Sequence, residues 1–161
     1  MKAIDLRKCA RMNLIDELAT GIAQGLNLNE KDEFGAAALH YAVAEKNTNV
    51  VALLIEHGAD ITAQDSDGKT ALHYAIEYKL PRVVEALIEK DPRVIAIADK
   101  FGNQPLWTAA FNANGNYDVV ALLMRYGANP DHRNNARLSP RDIPMRMGDE
   151  GLLRVFGSTP H

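Results

Sequence analysis

The chain has 161 residues, of which 47% are hydrophobic and 24% are charged, and its formal net charge is −3. Such a composition is typical of one globular unit with a continuous core, and the absence of a basic block or stripe excludes the charge pattern of nucleic-acid binding proteins. The single cysteine, Cys9, excludes an intramolecular disulfide framework. The first residues lack the apolar core of a signal peptide, and no apolar run could span a bilayer. We therefore expect a cytoplasmic protein whose partners are neither nucleic acids nor membranes.

Three stretches of the sequence match one another in register. Residues 32–43 read DEFGAAALHYAV, residues 65–76 read DSDGKTALHYAI, and residues 99–110 read DKFGNQPLWTAA. Each begins with the pattern D-x-x-G, and Asp32, Asp65, Asp99 and Asn134 follow at intervals of 33, 34 and 35 residues. A period close to 33 residues indicates a repeat solenoid.

The second half of each unit also repeats. The segment NVVALLIEHGAD at 49–60 matches DVVALLMRYGAN at 118–129, and RVVEALIEK at 82–90 is the middle copy. Together the two halves resemble the ankyrin repeat, whose pattern is D-x-x-G-x-T-P-L-H-x-A-A followed by V-V-x-L-L-L-x-x-G-A-D. The resemblance implies an all-α repeat solenoid of helix-turn-helix pairs joined by β-turn or hairpin loops.

The spacing divides the chain into five units of a single domain over 1–161. Residues 1–31 are expected to form an N-terminal cap with helices at 6–12 and 14–24, and residues 134–161 a C-terminal cap. The full repeats are 32–64, 65–98 and 99–133. Pro144 should keep the helix that follows Ser139 short or kinked, because proline removes a helical hydrogen bond.

The repeat pattern explains several residues that could otherwise suggest chemistry. In the family, the threonine and the histidine resemble a hydrogen-bonded pair that ties the turn to the helix, so we interpret His40 and His73 as structural. Cys9 stands where the pattern has a small apolar residue, which indicates a buried thiol. The sequence has no phosphate-binding loop, no metal-ligand spacing and no nucleophile with a base. It therefore predicts no enzyme activity, no cofactor and no metal.

Residues that the repeat pattern leaves free are the candidates for binding. They lie at the turn tips and at the far ends of the first helices, which stacking should place on one concave surface. The predicted partner-binding residues are Phe34, Ala36, Asp67, Lys69, Glu77, Tyr78, Lys100, Phe101, Asn103, Phe111 and Asn112. Equivalent positions align along one surface of a stacked solenoid, so the aromatic rings among them should form a nearly continuous strip. Aromatic side chains dominate binding hot spots. Alternatively, the two phenylalanines at the tips pack across adjacent turns and meet no partner.

These patterns predict a non-enzymatic module that is a monomer when free and binds one folded protein through its concave face. Occlusion of that partner would suit an inhibitor, an immunity protein or an adaptor. One alternative is a structural or self-associating repeat protein without an outside partner. Another is an enzyme or small-molecule binder that uses the loop 112–117 and Tyr117. The identity of the partner does not follow from the sequence, because side chains rather than a motif specify such a surface.

Overall fold

The computed structural model describes residues 3–157, which form ten α-helices and one 3₁₀ helix, without any strand among them. The helices are α1 (Leu6–Met12), α2 (Ile15–Ala23), α3 (Ala38–Ala44), α4 (Thr48–Glu56), α5 (Ala71–Glu77), α6 (Pro81–Lys90), the 3₁₀ helix (Pro92–Ala96), α7 (Pro105–Phe111), α8 (Asp118–Arg125), α9 (Asp142–Met147) and α10 (Glu150–Gly157). The predicted all-α repeat fold is confirmed. Within 3–157, no helix is both long enough and apolar enough to cross a membrane.

The helices stack in two layers. The first helices α1, α3, α5 and α7 pack on one another in sequence, and the second helices α2, α4, α6 and α8 do the same. Leucines at equivalent positions fill the space between the layers and are fully buried, namely Leu18, Leu54, Leu87 and Leu123 in the second helices. Burial of these side chains holds the units together, because neither helix of a pair can cover its apolar face alone.

Local sequence signals set where the helices begin. The Asp5 carboxylate accepts hydrogen bonds from the Arg7 and Lys8 amides at 3.0 and 3.2 Å and caps α1. Pro81 opens α6, where its missing N–H costs no hydrogen bond. Helix α2 is one residue shorter at each end than predicted, and α9, which contains Pro144, has only six residues, as expected for a proline inside a helix.

Each D-x-x-G turn is held by one side-chain oxygen. The Oδ1 atoms of Asp32, Asp65 and Asp99 each accept two backbone N–H groups, two and four residues further on, at 2.8–3.0 Å. Asn134 makes the same two bonds at 3.0 Å at the start of the last unit. The regular spacing of this residue in the sequence is therefore the spacing of four equivalent turns.

Buried histidines connect the first full repeat to the second and the second to the third. His73 Nδ1 accepts the Thr70 N–H at 3.2 Å, and its Nε2 lies 3.2 Å from the Asn103 carbonyl oxygen of the following repeat. His40 Nδ1 accepts the Ala37 N–H at 3.2 Å, and its Nε2 reaches the Lys69 carbonyl oxygen at 3.3 Å. An Nδ1 that accepts requires the proton on Nε2, which then donates to the carbonyl. Both rings have the predicted structural role, and burial lowers the pKa of each.

The free energy of unfolding should fall as the pH is lowered from 7.5 to 5.5. An unfolded histidine titrates near a pKa of about 6.5, and burial lowers the pKa of His40 and His73 in the folded chain. The unfolded state therefore binds more protons below pH 6.5 or so, and stability is lost as the pH falls through that window. Urea midpoints at pH 7.5, 6.5 and 5.5 measure this slope. His73→Gln should have a smaller slope, and an equal slope in both proteins would contradict the explanation.

Candidate functional site

The turn tips form a row along one edge of the solenoid. We define the tip row as Phe34, Asp67, Phe101 and Ala136, the residues two positions after the turn-holding Asp or Asn. Backbone hydrogen bonds join consecutive tips: Ser66 N–H to the Phe34 carbonyl at 2.9 Å, Lys100 N–H to the Asp67 carbonyl at 2.8 Å, and Asn135 N–H to the Phe101 carbonyl at 2.9 Å. These bonds fix the order in which the tip side chains meet a partner.

The two phenylalanines of the tip row are exposed but are not neighbours. Phe34 is 64% exposed and Phe101 57% exposed, so the adjacent turns do not bury these rings. Asp67 stands between them in the row, and its carboxylate accepts a hydrogen bond from Lys100 Nζ at 2.6 Å. Lys100 Nζ also lies 5.1 Å from the centroid of the Phe101 ring. An ion pair therefore interrupts, at the tips, the nearly continuous aromatic strip that the sequence suggested.

The other two predicted aromatic residues lie at the ends of first helices. Phe111, the last residue of α7, is 58% exposed, and Tyr78, which follows α5, is 38% exposed. The Tyr78 ring stacks on Tyr74, with centroids 6.3 Å apart and an interplanar angle of 11°. Lys46 Nζ lies 5.7 Å from the Tyr78 centroid. Tyr78 thus belongs to a stack of rings and cations, whereas Phe111 stands apart from it.

Several polar residues predicted for binding make contacts inside the chain. Lys69 and Glu77 form an ion pair at 2.6 Å, and both side chains are mostly covered. Asn103 donates to Asp99 Oδ2 at 3.3 Å and accepts from the Asn134 side chain at 2.8 Å. Asn112 donates to the Thr108 carbonyl at 3.0 Å. These intramolecular bonds fix the positions of the four side chains. Only the polar atoms that are not used in these bonds are available to a partner.

A groove of about 260 Å³ opens between the first two full repeats. Its lining comprises the rings of Phe34, Tyr41 and Tyr74, the small side chains of Ala36 and Ala44, and His40, Asp65, Ser66 and Asp67. Ala36 is only 8% exposed, so it forms the floor rather than a protruding contact. Sequence reasoning missed Tyr41 and Tyr74 here. The available signal was that both repeats read L-H-Y-A, whereas the third repeat has Thr108 at the tyrosine position.

Small side chains explain why the groove lies at this interface. The second repeat has Lys69 and Glu77 at the positions of Ala36 and Ala44, and these two longer side chains pair with each other at 2.6 Å. In the first repeat no side chain extends beyond Cβ at either position. The tyrosine hydroxyl groups are anchored, because Tyr41 donates to Asp32 and Tyr74 to Asp65. Burial and the bond to Asp65 raise the pKa of Tyr74, which stays protonated.

The loop 112–117 makes a long-range structural contact. Tyr117 Oη donates a hydrogen bond of 2.6 Å to Asp149 Oδ1, 32 residues further on, directly before α10. That bond raises the pKa of the Tyr117 phenol, so the phenol keeps its proton, which is donated to Asp149. Among residues 3–157, no cluster of three or more His, Cys, Asp or Glu side chains could hold a metal ion, and each buried polar side-chain atom has a hydrogen-bond partner.

Comparison with known families agrees with this architecture. A family model described as ankyrin repeats in three copies matches residues 6–98, and a single ankyrin repeat model matches residues 101–135. The chain belongs to the ankyrin repeat family. Ankyrin repeats are generally protein-interaction modules and are typically non-enzymatic. No curated protein matches the sequence.

Proposed function

We propose that this ankyrin repeat protein binds a partner protein through the surface formed by the tip row, the groove and the far ends of the first helices. The observation that carries the proposal is the exposure of Phe34, Phe101 and Phe111, each more than half accessible on that surface. Rings exposed to this extent contribute little to the core, and aromatic side chains are enriched among the anchors of protein interfaces.

The charges around these rings suit a protein partner. Asp67 pairs with Lys100 at the tips, and Lys69 pairs with Glu77 at the positions of the second repeat that correspond to Ala36 and Ala44. A rim that contains charges of both signs orients a protein partner and disfavours proteins with mismatched charges. It does so without strong long-range electrostatic attraction. It supports a folded protein as the ligand rather than a polyanion, which would require an excess of cations.

The mechanism that we propose is occlusion. The chain would cover a functional surface of its partner, as an inhibitor, an immunity protein or an adaptor does, and would contribute no catalysis and no cofactor. We place it in the cytoplasm as a monomer when free. Cys9 is buried, and burial, followed by the negative charge of Glu17, raises the pKa of its thiol, which makes it a packing residue rather than a reactive thiol.

Phe101→Ala and Tyr78→Ala should each weaken partner binding by about 2 kcal/mol, or roughly 30-fold, if these rings are hot spots. The partner would be captured from an extract of the source organism, identified by mass spectrometry, purified, and titrated against each variant by calorimetry. Melting temperatures should change little, because exposed rings contribute little to the core.

Two exposed apolar residues that belong neither to the tip row, nor to the groove lining, nor to helices α1, α3, α5 and α7 provide matched controls. Met145 on α9 is 65% exposed and Ile15 on α2 is 36% exposed, close to the values of the two test residues. Met145→Ala and Ile15→Ala should leave the affinity unchanged. Unchanged affinity in the aromatic variants, with a melting temperature several degrees lower, would show that the rings are packing residues and that the partner binds elsewhere.

A further inference from the structure

The groove between the first two repeats presents ring surfaces rather than hydroxyl groups. Tyr41 and Tyr74 donate their phenolic protons to Asp32 and Asp65 of their own repeats. Phe34, the third ring of the lining, has no polar atom on its side chain. Ring atoms of Phe34, Tyr41 and Tyr74 therefore form much of the lining, and aromatic rings attract cations electrostatically.

The charged side chains that line the groove are both acidic. Asp65 and Asp67 stand at its rim, and the lining contains no lysine or arginine. His40, also in the lining, is neutral, because its Nδ1 accepts the Ala37 N–H and burial lowers its pKa. Both tyrosine rings already have a cation beside them outside the groove: Arg11 lies 5.3 Å from the Tyr41 centroid and Lys69 5.3 Å from that of Tyr74.

We propose that this groove receives an arginine side chain projecting from the partner protein. This proposal rests on the proposed function, because the arginine contact would be one part of the interface with the partner protein. A guanidinium group is planar, so it stacks on aromatic faces while its N–H groups pair with a carboxylate. Ala36 and Ala44 leave room for it, whereas Lys69 and Glu77 fill the equivalent positions of the next repeat with their own ion pair.

Asp67 is the carboxylate that the arginine would engage. Its present partner, Lys100, is about half exposed, as is Asp67 itself. An ion pair of this kind is weak and readily exchanged. The arginine therefore competes with Lys100 for the same oxygen atoms, and the two changes Asp67→Asn and Lys100→Gln should affect arginine binding in opposite directions.

The probe for the test is N-acetyl-arginine methylamide, titrated into the full-length protein and followed by amide chemical shifts in NMR. We expect saturable millimolar binding, with shift changes concentrated at the amides of Ala36, Ala44 and Asp67. The citrulline analogue, which has nearly the same shape but no charge, should bind at least tenfold more weakly. Equal binding of the citrulline analogue, or tighter binding of the norleucine analogue, would overturn the proposal in favour of a purely apolar pocket.

The double variant Ala36→Lys with Ala44→Glu copies the ion pair of the second repeat into the groove. It should abolish arginine binding at an unchanged melting temperature, and retained binding would overturn the proposal. If this variant does not fold, Phe34→Ala, which changes an exposed ring, should weaken the binding several-fold instead. Asp67→Asn should also weaken binding, and Lys100→Gln should strengthen it two- to fivefold.

The same variants separate this proposal from the proposed function. If the identified partner binds the double variant as tightly as the wild type, while Phe101→Ala still weakens that binding, the groove proposal is wrong and the partner-binding function stands. If neither change affects the partner, both fail. A substitution of the partner's own contacting arginine by citrulline should cost as much affinity as filling the groove.

Discussion

Removal of residues 1–31 should leave a chain that aggregates or melts far below the full-length protein. Helix α1 packs on α3 and α2 packs on α4, so the truncation uncovers faces of α3 and α4, two helices whose buried side chains include Leu39, Val43 and Leu54. Each large apolar side chain exposed costs about 2 kcal/mol, and several together exceed the stability of a typical domain. Size-exclusion chromatography and a thermal melt followed by circular dichroism measure the effect.

A point change in α1 provides the control for this truncation. Met12 is largely exposed, so Met12→Ser should leave the elution volume and the melting temperature unchanged. A truncated chain that stays monomeric with the melting temperature of the full-length protein would show that residues 1–31 do not act as a cap for the first full repeat.

Gly68→Ala should destabilise the protein by about 3 kcal/mol. Gly68 has a φ of +73°, a conformation that costs an L-residue about 1 kcal/mol or more. An added Cβ would also lie 2.8 Å from the Lys100 amide nitrogen, which donates to the Asp67 carbonyl. Loss of that bond between two tips, with the displacement of the neighbouring turn, supplies the remainder of the cost.

Gly58→Ala separates the two contributions. Gly58 also has a positive φ, +84°, but its added Cβ would meet nothing within 4 Å. This variant should lose only about 1 kcal/mol in urea denaturation, the conformational cost alone. Equal losses in the two variants would mean that close contact between adjacent tips contributes nothing to stability.

Most of the fold could be predicted because the same turn and helix patterns recur in each repeat of the sequence. The D-x-x-G turns, the positions of the first helices and the structural role of His73 all follow from residues close together in sequence. Contacts between distant segments could not be predicted in this way. The bond from Tyr117 to Asp149 joins residues whose only relation is that the solenoid places α10 beside the loop.

The candidate site was predictable in part. The exposed rings Phe34, Phe101 and Phe111 could be found, because a residue that the repeat pattern does not require is free to serve binding. The groove could not be found by looking for reactive or bulky residues. It exists because Ala36 and Ala44 are small where the next repeat has a salt bridge, and an absence of side-chain volume becomes visible only when the neighbouring repeat is in place.

The histidine bridges also indicate where the solenoid comes apart first. Buried imidazoles link the first full repeat to the second and the second to the third, but the third repeat has Trp107 at the equivalent position. The seam to the last unit relies instead on exposed or partly buried bonds, in which the Asn134 side chain donates to the Asn103 side-chain oxygen and the Asn135 side chain donates to the Lys100 carbonyl. Water competes for such bonds, so fraying should start at α9 and α10 and spread towards the N-terminus. Phe101 lies next to that seam, because its carbonyl accepts the Asn135 N–H. A partner that binds the Phe101 ring would therefore stabilise the last unit against local unfolding.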